Sequence, residues 1–259
     1  MSRVTRHAAI LLALASATLL TGCNKTTSQL GTGNELTTAS TTPVSLESLA
    51  ALGEAWNKDP KDINRGLAYA NGLEAVGKTS EQLDVYRSLM QANPDNVQLT
   101  GLYGRKLVSA GRSDEAIPVL ESVEGKGDSD WRIASALGSA YDQQGLYQKA
   151  RAQYAKALAS SPENMAVINN LGMSYALEGN LKQAEAELRK ADAMPRSKTE
   201  PRIRQNLALV VGLQGRFEEA TTLAKEDLPP EQVAENMAYL QKMLSQPNTW
   251  QQISQSNQG

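Results

Sequence analysis

Hydrophobic and small residues recur with helical spacing along most of the chain. Where this pattern opens, Leu67, Ala70 and Leu73 fall three residues apart, which predicts an amphipathic α-helix rather than a strand. A glycine reverses a chain between two helices at little conformational cost. Such glycines recur at Gly77, Gly111, Gly145, Gly179 and Gly215. The pattern predicts an all-α chain built from repeated helix pairs.

The period of this pattern is 34 residues, and it resembles the tetratricopeptide repeat. From Trp131, the repeat positions 7, 8, 11, 15, 20, 24, 27 and 32 are Leu137, Gly138, Tyr141, Gly145, Ala150, Tyr154, Ala157 and Pro162. The register holds two periods back and one forward, and once more after two extra residues within 194–199. We expect a right-handed superhelical tetratricopeptide-repeat solenoid of about five helix pairs over 63–228, starting near residues 63, 97, 131, 165 and 201.

Each recurring residue type of the repeat has a packing role. A small residue at position 8 and alanine at position 20 let the two helices of a pair approach closely, while large residues at 7, 11 and 24 fill the space between neighbours. Glycine at position 15 makes the turn, and proline at 32 ends the second helix. Gln82 stands at position 20 of the first repeat, where a small residue is usual.

A single capping helix is predicted at each end of the array. Residues 45–62 contain an amphipathic segment from Ser45 to Asn57, whose apolar face is Leu49, Leu52 and Ala55. Residues 229–245 open with Pro229 and Pro230, and Val233, Met237, Leu240 and Leu244 form one stripe. Such helices cover the open faces of terminal repeats.

The remaining segments have no hydrophobic periodicity. Residues 23–44 are rich in Thr, Ser, Gly and Asn, which predicts a flexible tether. Residues 246–259 form a polar tail that we expect to be disordered. The tail contains Trp250, to which the sequence assigns no role.

The first 22 residues are typical of a bacterial lipoprotein signal peptide. Arg3 and Arg6 precede an uncharged run, and Leu20-Thr21-Gly22-Cys23 resembles the lipobox. We expect cleavage before Cys23 and lipid attachment to its thiol, which anchors the protein in the cell envelope. Asn24 in place of Asp favours the outer membrane, facing the periplasm. The alternative is an ordinary secretory signal followed by an unmodified cysteine.

Composition excludes several classes of function. After loss of Arg3 and Arg6, 24 basic residues face 28 acidic ones, a net charge near −4, so nucleic acid is not an expected partner. The only histidine, His7, is removed with the leader, and the only cysteine, Cys23, is acylated. Histidine- or cysteine-dependent catalysis and zinc binding are therefore excluded. We predict no enzyme activity, no catalytic residues, no metal, no cofactor and no small-molecule substrate.

One segment matches a phosphate-binding motif by letter. Gly72 to Thr79 reads G-x-x-x-x-G-K-T, but a phosphate-binding loop follows a buried strand and opens a helix. The preceding residues have a helical pattern, and Gly77 is already assigned to a turn between helices. We interpret the match as coincidental.

The concave side of such a solenoid is lined by the first helix of each pair, at repeat positions 2, 5, 9 and 12, and is the usual place for a bound peptide or helix. The alternative is a solvated inner face without a ligand. The predicted binding residues are Asn64, Asn71, Arg105, Arg132, Ser139, Asp142, Asn169, Arg202 and Gln205.

The C-terminal repeat carries a more specific resemblance. Residues 204–220, 227–231 and 236–240 are similar to the TadD family of tight-adherence (Flp) pilus assembly lipoproteins. The resemblance implies a protein-binding scaffold in the pilus secretion machine, with a pilotin-like role toward the outer-membrane secretin as its expected partner. The alternative is an outer-membrane repeat lipoprotein that scaffolds barrel assembly or cell-wall enzymes.

Overall fold

The computed structural model describes residues 45–126 and 131–245. The predicted signal peptide, tether and tail, with Cys23 and Trp250, lie outside the described residues. The described residues form twelve α-helices, one short 3-10 helix and no strand. The helices are α1 Leu46–Asn57, α2 Ile63–Ala75, α3 Thr79–Ala92, α4 Val97–Ser109, α5 Ser113–Glu121, α6 Trp131–Gln143, α7 Tyr147–Ser160, α8 Met165–Glu178, α9 Leu181–Asp192, α10 Pro201–Leu213, α11 Phe217–Ala224 and α12 Pro230–Ser245.

These helices belong to two compact units, which we call the N-terminal unit (residues 45–126) and the C-terminal unit (residues 131–245). In the N-terminal unit α1 packs on α2, and the pairs α2/α3 and α4/α5 follow. The C-terminal unit contains the pairs α6/α7, α8/α9 and α10/α11, and α12 packs on α10 and α11. The prediction of an all-α array of sequential helix pairs is confirmed.

The predicted turn glycines all have left-handed backbone conformations. Their φ angles are 74°, 73°, 72°, 96° and 82° at Gly77, Gly111, Gly145, Gly179 and Gly215. At each turn, the residue after the glycine donates its N–H to the carbonyl five residues earlier, as Lys78 does to Leu73 at 2.9 Å. This bond satisfies a carbonyl at the end of the first helix. Each helix pair is thus closed by the same local geometry.

The small residues at repeat position 8 allow the predicted close approach. A Cβ added to Gly104 would lie 2.6 Å from Leu120, and one added to Gly138 would lie 2.5 Å from the Tyr154 ring. A Cβ added to Gly172 would lie 2.9 Å from Leu188. The facing large side chains fill the space, so the helices of each pair are packed without room for a methyl group.

Both capping helices bury one face. In α1, Leu49 and Gly53 are buried, while the predicted Leu52 and Ala55 are only half-buried. Trp56, one turn beyond Gly53, packs on Tyr69 of α2, with ring centroids 5.7 Å apart. In α12 the buried residues are Val233, Met237 and Leu240.

Two second helices are shorter than the others. The helix α5 contains nine residues and α11 eight, against 14 in α3 and α7. Pro118 lies within α5 and has no backbone N–H to donate to a carbonyl of the preceding turn. Val123 is nevertheless buried in the turns that follow α5.

The segment that matches the phosphate-binding motif is a helix–turn–helix. Gly72 is buried inside α2, Gly77 forms the turn, and Thr79 begins α3. The Lys78 ammonium group donates to Glu81 at 3.0 Å. The interpretation of Gly77 as an inter-helix turn is confirmed.

Candidate partner-binding face

The first helices of the C-terminal unit leave a continuous stripe of side chains uncovered. The helix α8 contacts both α6 and α10, so the uncovered stripes of these three helices are adjacent. Their residues recur every three or four positions and are half-buried or exposed. We call this surface the C-terminal A-helix face; it comprises Arg132, Ser135 and Ser139 on α6, Ala166, Asn170, Met173 and Leu177 on α8, and Arg202, Gln205, Asn206 and Leu209 on α10.

This face combines positive charge with apolar contact area. Arg202 is exposed, and the Arg132 guanidinium lies 4.9 Å from the centre of the Trp131 ring. Between them in the chain, Met173 and Leu177 are half-buried. Methionine and leucine side chains offer adaptable apolar contacts of the kind used to bind peptide segments. The surface can therefore hold a polypeptide segment through side-chain packing and hydrogen bonds.

The predicted face residues of the N-terminal unit lie on α2 and α4. Asn64 and Asn71 are exposed, and Arg105 is half-buried. Next to them, Glu74 is occupied by bonds within the unit: Lys106 Nζ donates to both of its carboxylate oxygens at 2.7 Å, and Gln82 Nε2 donates at 3.0 Å. The unusual Gln82 at repeat position 20 therefore bridges the two helices of its pair.

Two of the predicted binding residues are not on the surface. Asp142 is only 6% exposed and Asn169 only 5%. Asp142, at repeat position 12, lies against α8, the first helix of the next pair. Asn169, at repeat position 5, lies against α10 in the same way. The side chains of Asp142 and Asn169 are used in bonds between neighbouring helix pairs, so we exclude them from the C-terminal A-helix face. Ser139, Arg132, Arg202 and Gln205 remain on it.

Asp142 joins three helices through hydrogen bonds. Its Oδ1 accepts a bond from Ser174 Oγ of α8 at 2.6 Å, and its Oδ2 accepts one from the Tyr154 hydroxyl of α7 at 2.9 Å. The Tyr154 oxygen also lies 3.2 Å from Ser139 Oγ. The network thus runs from Ser139 on the C-terminal A-helix face to a buried carboxyl group and on to the next helix pair.

Burial dominates the electrostatics of this network. Removal from water raises the pKa of Asp142 to about 7, and the hydrogen bonds from Ser174 and Tyr154 offset this only in part. Burial also raises the pKa of the Tyr154 hydroxyl well above its ordinary value. Arg151, whose charge favours the ionised form of Asp142, makes its ion pair with Glu178 at 2.8 Å and stacks 4.7 Å from the centre of the Tyr175 ring.

A second polar bridge joins α8 and α10. Asn206 Nδ2 donates to Asn169 Oδ1 at 2.8 Å, and Asn169 Nδ2 donates to Asn170 at 3.4 Å. Because Asn170 and Asn206 reach the C-terminal A-helix face, this bridge fixes the spacing of its second and third stripes. Buried amide groups need such partners to avoid a desolvation penalty.

The residues that resemble the TadD family build the end of the C-terminal unit. Arg204 makes a two-pronged ion pair with Asp227, with N–O distances of 2.8 and 2.7 Å. The side chains are 9% and 8% exposed, and Asp227 lies in the turn before α12. That bond holds the pKa of Arg204 above its ordinary value. Gly212 leaves room for Leu240 of α12, which a Cβ would approach to 2.9 Å. These residues fix the last helices in place.

The described parts of the chain contain no group of three or more histidine, cysteine, aspartate or glutamate side chains placed to bind a metal. Over residues 45–126 and 131–245, no helix has the length and apolar character needed to cross a membrane.

The sequence did not reveal the Asp142 network. The repeat register assigns positions to Ser139, Asp142 and Tyr154. One sequence alone does not show that Ser174 of the neighbouring pair bonds to the Asp142 carboxyl group. An aspartate at position 12 beside a tyrosine at position 24 of the same repeat is the signal that could have suggested it.

Comparison with known proteins supports the repeat assignment. Residues 104–164 and 135–198 match the tetratricopeptide repeat family model. A relative, the uncharacterized protein y4yS of Sinorhizobium fredii, is 32% identical over 111 residues, which are 43% of this chain and 60% of that protein. The chain therefore matches less than two thirds of that relative's length.

Solved structures show the same fold. A tetratricopeptide repeat protein from Parabacteroides merdae has a TM-score of 0.61 at 15% identity, covering 75% of this chain and 77% of that one. PilW, described as a widely conserved type IV pilus biogenesis factor, has a TM-score of 0.55 at 18% identity, covering 80% and 89%. The repeat match and these similarities show the fold, an all-α array of tetratricopeptide repeats.

Proposed function

We propose that this protein is a lipid-anchored scaffold that binds a partner protein through the C-terminal A-helix face during assembly of a tight-adherence pilus secretion machine. The observation that carries the proposal is the continuous, uncovered stripe on α6, α8 and α10. A face of this kind, with apolar residues among polar and basic ones, suits an extended or helical polypeptide segment.

The pilus assignment is supported by two resemblances. Residues 204–220, 227–231 and 236–240 are similar to the TadD lipoproteins, and in the structure they include most of α10, the first half of α11 and two parts of α12. The fold is similar to that of PilW, a type IV pilus biogenesis factor. On this basis the expected partner is the outer-membrane secretin, and the role is pilotin-like.

In this proposal, the membrane anchor of the protein is the acylated Cys23. The sequence Leu20-Thr21-Gly22-Cys23 supports acylation of its thiol. The tether 23–44 would then extend from the outer membrane into the periplasm, where the helical units meet their partner. A Cys23→Ala protein should leave the membrane fraction, whereas persistence there after a carbonate wash would contradict the anchor.

The binding face can be tested by site-specific photo-crosslinking in cells. A crosslinking amino acid at Gln205 or Met173 lies on the C-terminal A-helix face, whereas one at Lys182 is an exposed control on α9. We expect adducts with the secretin from the first two positions and none from Lys182. Adducts from Lys182 alone, or none from any position, would overturn the proposal that the partner binds to this face. Adducts with a barrel-assembly protein or a cell-wall enzyme would instead favour the alternative partner class.

A further inference from the structure

Asp142 occupies a position that packing alone does not require. It is 6% exposed and lies where three helices of two adjacent pairs meet. An apolar residue at this place would avoid the cost of burying a carboxyl group. The carboxyl group is instead bonded on both oxygens and connected through Tyr154 to the half-buried Ser139.

We propose that Asp142 is a proton-controlled bridge between the pairs α6/α7 and α8/α9, and that its protonation state sets how firmly the first helices of the C-terminal A-helix face are held together. The bridge itself is a property of the folded chain. Only its consequence for partner binding rests on the function proposed above.

The charged and titratable groups around Asp142 come from every helix packed against it. The helix α7 contributes Tyr147, Arg151 and Tyr154, and α8 contributes Glu178. Arg151 favours the ionised carboxylate and Glu178 opposes it. Because Arg151 also forms an ion pair with Glu178, its attraction for the Asp142 carboxylate is partly offset. The buried carboxyl group therefore shares this cation with a second carboxylate.

The two protonation states make different hydrogen bonds. The ionised carboxylate accepts from both Tyr154 and Ser174, which is the arrangement in the structure. A protonated carboxyl group carries a hydrogen itself, so one of its oxygens becomes a donor. The Tyr154 hydroxyl can then donate to Ser139 Oγ, 3.2 Å away. The proton on Asp142 is thus linked to the hydrogen bonding of a residue on the face.

The direction of the effect follows from burial. With a pKa of about 7 in the folded chain and about 3.9 in an unfolded one, Asp142 holds a proton in the folded state that the unfolded state has lost. The contribution of this group to stability is therefore complete at low pH and is lost as pH rises from about 4 to about 7. Above that range the buried charge loosens the contact between the two pairs.

The test measures the full chain and needs no partner. Amide hydrogen exchange in α6 and α8, corrected for the intrinsic effect of pH, should be faster at pH 8 than at pH 5.5 by about tenfold or more. Asp142→Asn keeps the size of the side chain but cannot ionise, so it should abolish the difference. The control Asp84→Asn, at an exposed position on α3, should leave it unchanged.

A second variant tests the hydrogen-bond network separately. Tyr154→Phe removes one donor to the ionised carboxylate, so the midpoint of the pH transition should move to higher pH. Persistence of the full pH effect in Asp142→Asn, or a transition near pH 4 in the wild-type chain, would overturn the bridge. Since no partner enters the measurement, such a result would leave the proposed scaffold function standing.

Discussion

Polar bonds between helix pairs lie near the surface in the N-terminal unit, whereas the C-terminal unit combines surface bonds, such as that of Arg189 with Glu219, with buried ones. In the former, Lys106 reaches back to Glu74, whose side chain is half exposed, and Arg87 donates to the Tyr103 hydroxyl at 3.1 Å. In the latter, Asp142 meets Ser174 away from solvent, and Asn206 meets the buried Asn169. The same repeat fold therefore uses two kinds of inter-repeat contact.

The difference bears on the binding face. Exposed ion pairs contribute little and tolerate movement, because water can replace either partner. Buried polar bonds stabilise only one arrangement, since any displacement leaves a group unsatisfied. The first helices of the C-terminal unit are thus held at a defined spacing, which is what a surface that recognises one partner requires.

The largest expected effect comes from breaking the buried ion pair. Arg204→Met leaves Asp227 buried without its cation and should cost about 3–5 kcal/mol of unfolding free energy. The matched change in the N-terminal unit, Lys106→Met, removes a more exposed pair and should cost about 1 kcal/mol or less. Urea unfolding at pH 7 would compare them. Equal costs would mean that burial does not strengthen the Arg204–Asp227 pair relative to the exposed pair of Lys106 and Glu74.

A smaller difference in stability is expected between two glycine substitutions, each of which places a methyl group against a large side chain. Gly138→Ala should cost about 1–3 kcal/mol, because the added methyl group would overlap the Tyr154 ring. That ring is held by hydrogen bonds to Asp142 and Ser139. Gly104→Ala meets Cγ and Cδ2 of Leu120, an aliphatic side chain that no hydrogen bond holds in place, so its cost should be the lower of the two. Thermal unfolding of the two variants measures this order, and the reverse order would show that Tyr154 is not held by its bonds.

Much of the fold could be predicted because repeat sequences encode local contacts. Glycine turns and the small residues at position 8, such as Gly138, are short-range requirements that one sequence displays in full. The helical spacing of Val233, Met237 and Leu240 likewise identified the buried face of α12.

The burial of individual side chains on the first helices could not be predicted in the same way. Periodicity predicts that Asp142 and Asn169 lie on the concave side of the first helix of their pairs. It does not show how far the next pair extends over them, which depends on side chains 32 or 37 residues further along, Ser174 and Asn206. Arg204 and Asp227 are 23 residues apart and pair only after the last turn has formed. The division into two units was also not visible, since the 34-residue register runs through it.

The most direct test of the proposed pilotin-like role is the state of the pilus secretin in cells that lack this protein. We predict that deletion of the gene abolishes secretin multimers in the outer-membrane fraction and that wild-type protein restores them. Cys23→Ala should fail to restore them for want of an anchor, and Arg202→Glu, at an exposed position of the face, should restore them poorly. Normal secretin multimers and normal pili in the deletion strain would contradict the account.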